Sequence, residues 1–114
     1  MPLTRDQILS ANDRKSAETD VPEWGGSVFL RVMSGTERES FEREWTSTEE
    51  KLLPQYKTKM LRRCLCDEKG ETLFSNDDLA ALGEKNALVL DRLFHDCMKL
   101  NGFEKDSVEE AAKN

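Results

Sequence analysis

The chain has 114 residues, with 17 Lys+Arg against 23 Asp+Glu, a net charge of −6, 35% charged and 37% hydrophobic residues. That length favours one domain able to bury roughly 65% of the surface its unfolded form exposes, so folding needs neither a metal nor a disulfide. Residues 1–57 carry 8 basic and 11 acidic groups and residues 58–114 carry 9 and 12, so each half is −3, and without a concentrated basic face the chain is a poor binder of duplex DNA.

Thr4-Arg5-Asp6-Gln7 has the form of a capping box, in which Thr4 caps a helix and Gln7 reaches back to it. Ile8, Leu9 and Ala11 give a short helix that Asn12 and Asp13 end. It is too short to be stable alone, so it must dock on something. Two extended segments follow. Lys15–Val21 is mostly polar, with Ala17, Thr19 and Val21 on alternate positions. Ser27–Met33 places Val28, Leu30 and Val32 on one face and Phe29, Arg31 and Met33 on the other. Between them, Pro22-Glu23-Trp24-Gly25-Gly26 predicts a hairpin turn. Trp24 beside two glycines is either a contact residue or a ring folded back over the sheet.

Ser34-Gly35-Thr36-Glu37 is a second capping box, and Glu37, Glu39 and Glu42 suit the start of a helix dipole. This helix runs to about Thr46, with Phe41 and Trp45 on a shared face. Thr46-Ser47-Thr48 weakens it, Glu49–Leu53 resumes it, and Pro54 either stops that piece or opens the next helix. Tyr56, Met60, Leu61, Cys64 and Leu65 recur at helical spacing and predict a helix over 56–65. Asp67–Gly70 is a turn, Glu71–Phe74 is briefly extended, and Ser75 caps a short helix that Gly83 ends. Glu84–Leu100 is the longest predicted helix, with a stripe of Ala87, Leu90, Phe94 and Cys97 widened by Leu93, Met98 and Leu100. Asn101-Gly102 terminates it, and Phe103 is placed to pack back onto its end. A last short turn starts at Asp106 or Ser107 and runs through Val108 and Ala111. The expectation is an α+β fold: an N-terminal β-hairpin packed with several helices and a mostly helical C-terminal half. It forms a single domain over 1–114, with short mobile ends at 1–3 and about 104–114.

No apolar run approaches the ~18 residues of a membrane span, and the N-terminus lacks the apolar centre of a signal peptide. The chain therefore reads as cytoplasmic. Three cysteines, Cys64, Cys66 and Cys97, fit reduced thiols better than a disulfide framework. Cys64-Leu65-Cys66 and His95-Asp96-Cys97 superficially resemble zinc ligands. However, His95 and Cys97 lie two apart on a helix and point about 200° apart around its axis. The same geometry disfavours a Cys97 nucleophile with His95 as its base. There is no P-loop, dinucleotide-binding glycine pattern or nucleophile elbow. No catalytic residue, cofactor or metal is expected. The one basic cluster, Lys57, Lys59, Arg62 and Arg63, is read as a solvated face or as the partner of the acidic stretch 37–50, with phosphate contact as the alternative. The remaining signal is of binding type. Trp24, Phe29, Met33, Trp45 and Met60 are large and not all needed for a core this small, so some are free to form a surface patch.

Four blocks carry a resemblance. They are Leu3–Leu9; Val21–Gly26 with the following strand and Gly35–Arg38; Cys64–Gly70 with Leu73-Phe74; and Leu79–Gly83 with Asp91–Phe94 through Gly102. In this order, over most of residues 3–102 (46–58 matches poorly), the sequence resembles the tail assembly chaperones of long-tailed bacteriophages and prophages. The resemblance implies a non-enzymatic protein of the host bacterial cytoplasm, with no nucleic-acid or membrane partner. Such chaperones bind the tape-measure protein, keep it soluble and help recruit the major tail (tube) protein during tail assembly. It also implies that a longer product made by programmed frameshifting is worth seeking, since Ala112-Lys113-Asn114 is compatible with a slippery codon run. Self-association is compatible with an exposed hairpin edge. The family supplies no set of functional residues to carry over. On physical grounds the partner surface is placed at Trp24, Phe29, Met33 and Trp45, each of which is alternatively core. The competing functions are a structural minor tail component retained in the virion and a small zinc- or nucleic-acid-binding regulator.

Overall fold

The computed structural model describes residues 1–46 and 55–103, with only the backbone of Trp45 and Thr46. The expected resumption of helix at 49–53 and the expected last turn near 106–111 lie outside the described residues. In chain order the elements are α1 (Arg5–Ser10), β1 (Ser16–Val21), β2 (Gly26–Arg31), α2 (Gly35–Thr46), α3 (Tyr56–Cys64), β3 (Leu65–Cys66), α4 (Leu79–Gly83) and α5 (Ala87–Leu100). Single 3₁₀ turns occupy Pro22–Trp24 and Asn76–Asp78.

The three strands form an antiparallel sheet in the order β1-β2-β3. The hairpin register pairs Ser16 with Arg31 and Val21 with Gly26. Gly25 makes the turn possible: its φ of 80° is left-handed, and its N–H donates to Pro22 O at 3.0 Å. Directly paired residues share a face, so Val21, Leu30 and Leu65 point together into the core. Ala17 and Thr19, on the same face, border a shallow cleft against Asp96, Lys99 and Leu100 of α5.

The core is one cluster drawn from every layer. The paired helices α3 and α5 supply Met60, Leu61, Cys64, Val89, Leu90, Leu93, Phe94 and Cys97. Phe41 of α2 and Leu82 of α4 join it. Tyr56 meets Phe94 edge-to-face at 5.6 Å between centroids.

Capping explains most helix limits. Thr4 Oγ1 accepts from Gln7 N while Gln7 Oε1 accepts from Thr4 N, completing the α1 box. Ser34 and Glu37 exchange the same two bonds at the start of α2. At the end of α5, Phe103 N–H donates to Met98 O and Gly102 N–H to Lys99 O. This is the Schellman arrangement, with Gly102 left-handed at φ 77°. Phe103 folds back as expected, edge-on to Phe41 at 6.3 Å and beneath the Arg38 guanidinium at 4.1 Å.

Several boundaries and one expected packing contact differ from expectation. The last helix begins at Ala87 rather than Glu84, because Asn86 Oδ1 accepts from Leu88 N and Val89 N and so acts as its cap. The helix over 56–65 stops at Cys64, because Leu65 and Cys66 pair with Leu30 and Phe29 as a third strand. The Ser75-capped segment divides into a 3₁₀ turn and α4. Finally, α1 docks on nothing among the described residues. It buries no residue, and Leu3, Ile8 and Leu9 stay 66%, 57% and 67% exposed.

Candidate functional site

A concavity lies at the turn end of the hairpin. It is lined by Glu23, Trp24, Phe74, Ala81, Leu82 and Lys85 and has a volume of about 660 Å³. Its walls come from three places: the 3₁₀ turn at 22–24, the segment entering α4, and the far side of α4. The floor is apolar. Leu82 is buried, Trp24 and Phe74 are half-buried against the core, and Lys85 stands with its ammonium 6.0 Å from the Trp24 ring.

A two-point clamp fixes the turn that carries Trp24. Glu23 Oε1 and Oε2 accept from Arg92 Nη2 and Nη1 of α5 at 2.8 and 2.9 Å. This fork-to-fork geometry resists rotation better than a single contact. Bonding to Arg92 is the main cause that lowers the Glu23 pKa to about 2, and the Arg92 guanidinium is held charged in return. The residue beside Trp24 therefore ties the loop to α5, and the tryptophan is presented on a fixed edge.

The four residues expected at a partner surface have different fates. Trp24 lines the groove. Phe29 is half-buried and pairs with Glu18 and Cys66, on the sheet face opposite Val28 and Leu30. Trp24 and Phe29 are thus not brought to one groove. Met33 is 5% exposed and belongs to the core. Strand alternation ends at Arg31, and Asn101 Oδ1 takes the Met33 N–H at 2.7 Å, which turns that side chain inward. Trp45 is in α2, and its side chain lies outside the described residues. Phe74, Ala81, Leu82 and Lys85 of the groove are not among the residues expected at a partner surface. Leu82 and Ala81 sit on a five-residue helix too short for a periodic signal, and Lys85 is distinguished only by its contact with Trp24.

The other candidates are placed as follows. Cys64, Cys66 and Cys97 are buried free thiols. Contact with the Cys64 thiol and burial push the Cys97 thiol well up, while the same contact lowers Cys64. His95 is exposed and Cys97 is buried, on opposite sides of α5. Among the described residues no His/Cys/Asp/Glu group is placed to hold a metal ion, and no helix is long and apolar enough to cross a membrane. In the basic cluster, Arg63 Nη2 reaches Ser40 Oγ at 3.3 Å and Glu44 Oε1 at 3.4 Å of α2, and Lys57 Nζ binds Asp91 Oδ1 at 2.6 Å.

A second electrostatic centre supports the opposite end of the hairpin. Arg31, with a side chain 9% exposed, donates to Arg63 O at 3.0 Å, Gly70 O at 3.3 Å and Glu37 Oε2. Glu37 Oε1 also accepts from Arg14 Nη2 at 2.7 Å. Arg14 in turn grips Val32 O.

Comparison with known proteins places this architecture. Residues 4–114 match the family model described as phage tail assembly chaperone. Among solved structures, the tail assembly chaperone of bacteriophage HK97 superposes with a TM-score of 0.60 at 23% identity, covering 83% of this chain and 90% of that one. The identity is low enough that the superposition speaks for the fold alone. No curated protein matches. With the family match running from the first capping box to the last residue, the chain belongs to the phage tail assembly chaperone family.

Proposed function

We propose that the protein is a non-enzymatic chaperone that binds the tape-measure protein in the host cytoplasm, keeps it soluble and helps recruit tail-tube subunits. The physical need is plain. A long helical protein destined for the lumen of a tube exposes apolar faces before that tube exists, and those faces require cover. The observation that carries the reading is the preformed apolar groove around Trp24, on a chain of net charge −6. An apolar ridge of a client helix fills such a groove by the helix-in-groove mode, and the acidic surface keeps the complex soluble. Phe29 and Trp45 are further proposed contacts, whereas Met33 is buried in the core.

The test is co-expression with the large helical protein encoded beside it, followed by an affinity pull-down and a solubility assay. The expected result is a soluble partner that co-elutes, with recovery reduced at least about tenfold by Trp24→Ala, in keeping with the loss of a tryptophan anchor. A partner that stays insoluble while nothing co-elutes overturns the proposal. Recovery of the chain in purified particles, by mass spectrometry, supports a structural tail component instead.

A further inference from the structure

A small polar pocket lies at the open end of the hairpin, away from the Trp24 groove. It is lined by Asn12, Arg14, Arg31, Lys69 and Gly70 and has a volume of about 220 Å³. Three chain segments form it: the stretch after α1, the end of β2 and the loop after β3. Its lining is one-sided. Every side chain there donates hydrogen bonds, and the only side-chain acceptor is the Asn12 amide oxygen.

The cations hold more donors than the chain uses. Arg31 gives Nε to Arg63 O, Nη1 to Gly70 O and Nη2 to Glu37, which leaves one N–H on each terminal nitrogen. Arg14 spends Nε and Nη2 on Val32 O and Glu37, and its Nη1 has no partner among the described residues. The Lys69 ammonium and the Asn12 side chain make no hydrogen bond or ion pair among the described residues. The nearby carboxylates are already committed. Glu37 Oε1 accepts from Ser34 N and Arg14, and its Oε2 accepts from Arg31. Asp67, beside Lys69 in the loop, gives Oδ1 to the Lys69 and Glu71 amides.

We propose that this pocket binds one small oxyanion, a carboxylate or a phosphate group, held by Arg14, Arg31 and Lys69. Three cations face two carboxylates, so the site stays positive on a chain of net charge −6. Arg31 is the anchor. Its side chain is 9% exposed, and a charge held away from water attracts an anion more strongly than a surface lysine does. Planar guanidiniums also match the paired oxygens of both groups. Size excludes larger ligands. The pocket has room for about seven waters, enough for an oxyanion with part of its hydration shell. It is smaller than the ~300–1,000 Å³ cavities that enclose drug-sized molecules. The bound anion bridges the three segments and ties the chain leaving α1 to the end of β2.

The experiment is a titration of the full isotope-labelled chain with inorganic phosphate at pH 7, read by N–H correlation NMR. Sodium chloride holds the ionic strength constant. The Lys69 and Gly70 amides, the Asn12 side-chain amide and the Nε–H groups of Arg14 and Arg31 are expected to shift together and saturate. Half-saturation falls near about 1 mM, the scale for a ligand of so few atoms. Lys69→Glu reverses a charge at an exposed position whose side chain bonds nothing, and weakens binding at least about tenfold. Glu37→Gln removes the competing carboxylate and tightens binding at least about threefold, a gain that mere loosening of the fold does not give. Lys69→Glu carries the test alone where the Glu37 variant is too unstable to label. Sodium acetate in a second titration separates the sources. Saturation by both anions admits carboxylates, and saturation by phosphate alone assigns the site to phosphate groups. Three outcomes overturn the proposal: shifts that stay linear with both anions, saturable shifts centred elsewhere, such as on Lys59 and Arg62, or saturation that Lys69→Glu does not weaken.

Discussion

Replacing Glu37 by Gln tests the electrostatic centre under the open end of the hairpin. One carboxylate there serves three groups: the Ser34 N–H at 2.9 Å, Arg14 at 2.7 Å and the buried Arg31. Gln retains the size and an acceptor for Ser34 but removes the charge. Breaking a fully buried ion pair from one side costs about 3–5 kcal/mol, because the other charge is stranded. Here Arg31 is 9% exposed but Glu37 is 32% exposed, and Arg31 keeps two carbonyl acceptors. The expected loss is therefore about 2 kcal/mol, or about 1 M in the urea midpoint. Asp6→Asn is the control: its Arg5 partner and Asp6 itself are 83% and 91% exposed, so the change stays within about 0.5 kcal/mol.

The pH dependence sharpens the test. Burial pushes the Glu37 carboxyl up, but the Ser34 amide and the Arg31 and Arg14 guanidiniums outweigh it, so its pKa lies below the ordinary 4.5. A group with a depressed folded pKa stabilises fully above its unfolded value and loses that contribution as pH falls through the folded one. The gap between parent and Glu37→Gln is thus constant from neutral pH down to about 5 and closes below 4.5. A loss under about 0.5 kcal/mol at pH 7, or no coupling in a double-mutant cycle with Arg31→Met, refutes the reasoning. Either result means that the carbonyls of Arg63 and Gly70 suffice for Arg31.

Three further outcomes follow from the same structure. Leu93→Ala, at 0% exposure on α5, costs about 2–5 kcal/mol in urea unfolding, while Leu88→Ala on the same helix, at 77% exposure, stays within about 0.5 kcal/mol. Gly102→Ala forces a Cβ into the left-handed cap at φ 77° and lowers stability by about 1 kcal/mol, measured as a thermal midpoint lower by about 4 °C. In a Trp45→Phe background, Trp24 fluorescence reports the Glu23–Arg92 clamp. The depressed Glu23 pKa keeps the clamp intact above 4.5 and lost only as pH falls toward about 2, so emission is steady from pH 7 to 4.5, and Glu23→Gln gives the unclamped emission already at pH 7.

Local signals carried the helices and the hairpin because their causes are local. Thr4/Gln7 and Ser34/Glu37 are reciprocal hydrogen bonds three residues apart, and the α5 stripe is periodicity within one element. What escaped was set by contacts distant in the chain. β3 is two residues long and is held by pairing with β2 on one side and by a bridge from Cys66 to Thr72 on the other. Met33 follows the alternation of Phe29 and Arg31 on paper, yet a side-chain oxygen 68 residues later captures its amide and ends that alternation. Arg31 shares the Phe29 face by alternation, but carbonyls from Arg63 and Gly70 close over it. The groove was legible in one residue, Trp24, which stood out by size beside two glycines. Its other walls are ordinary residues made neighbours by the fold.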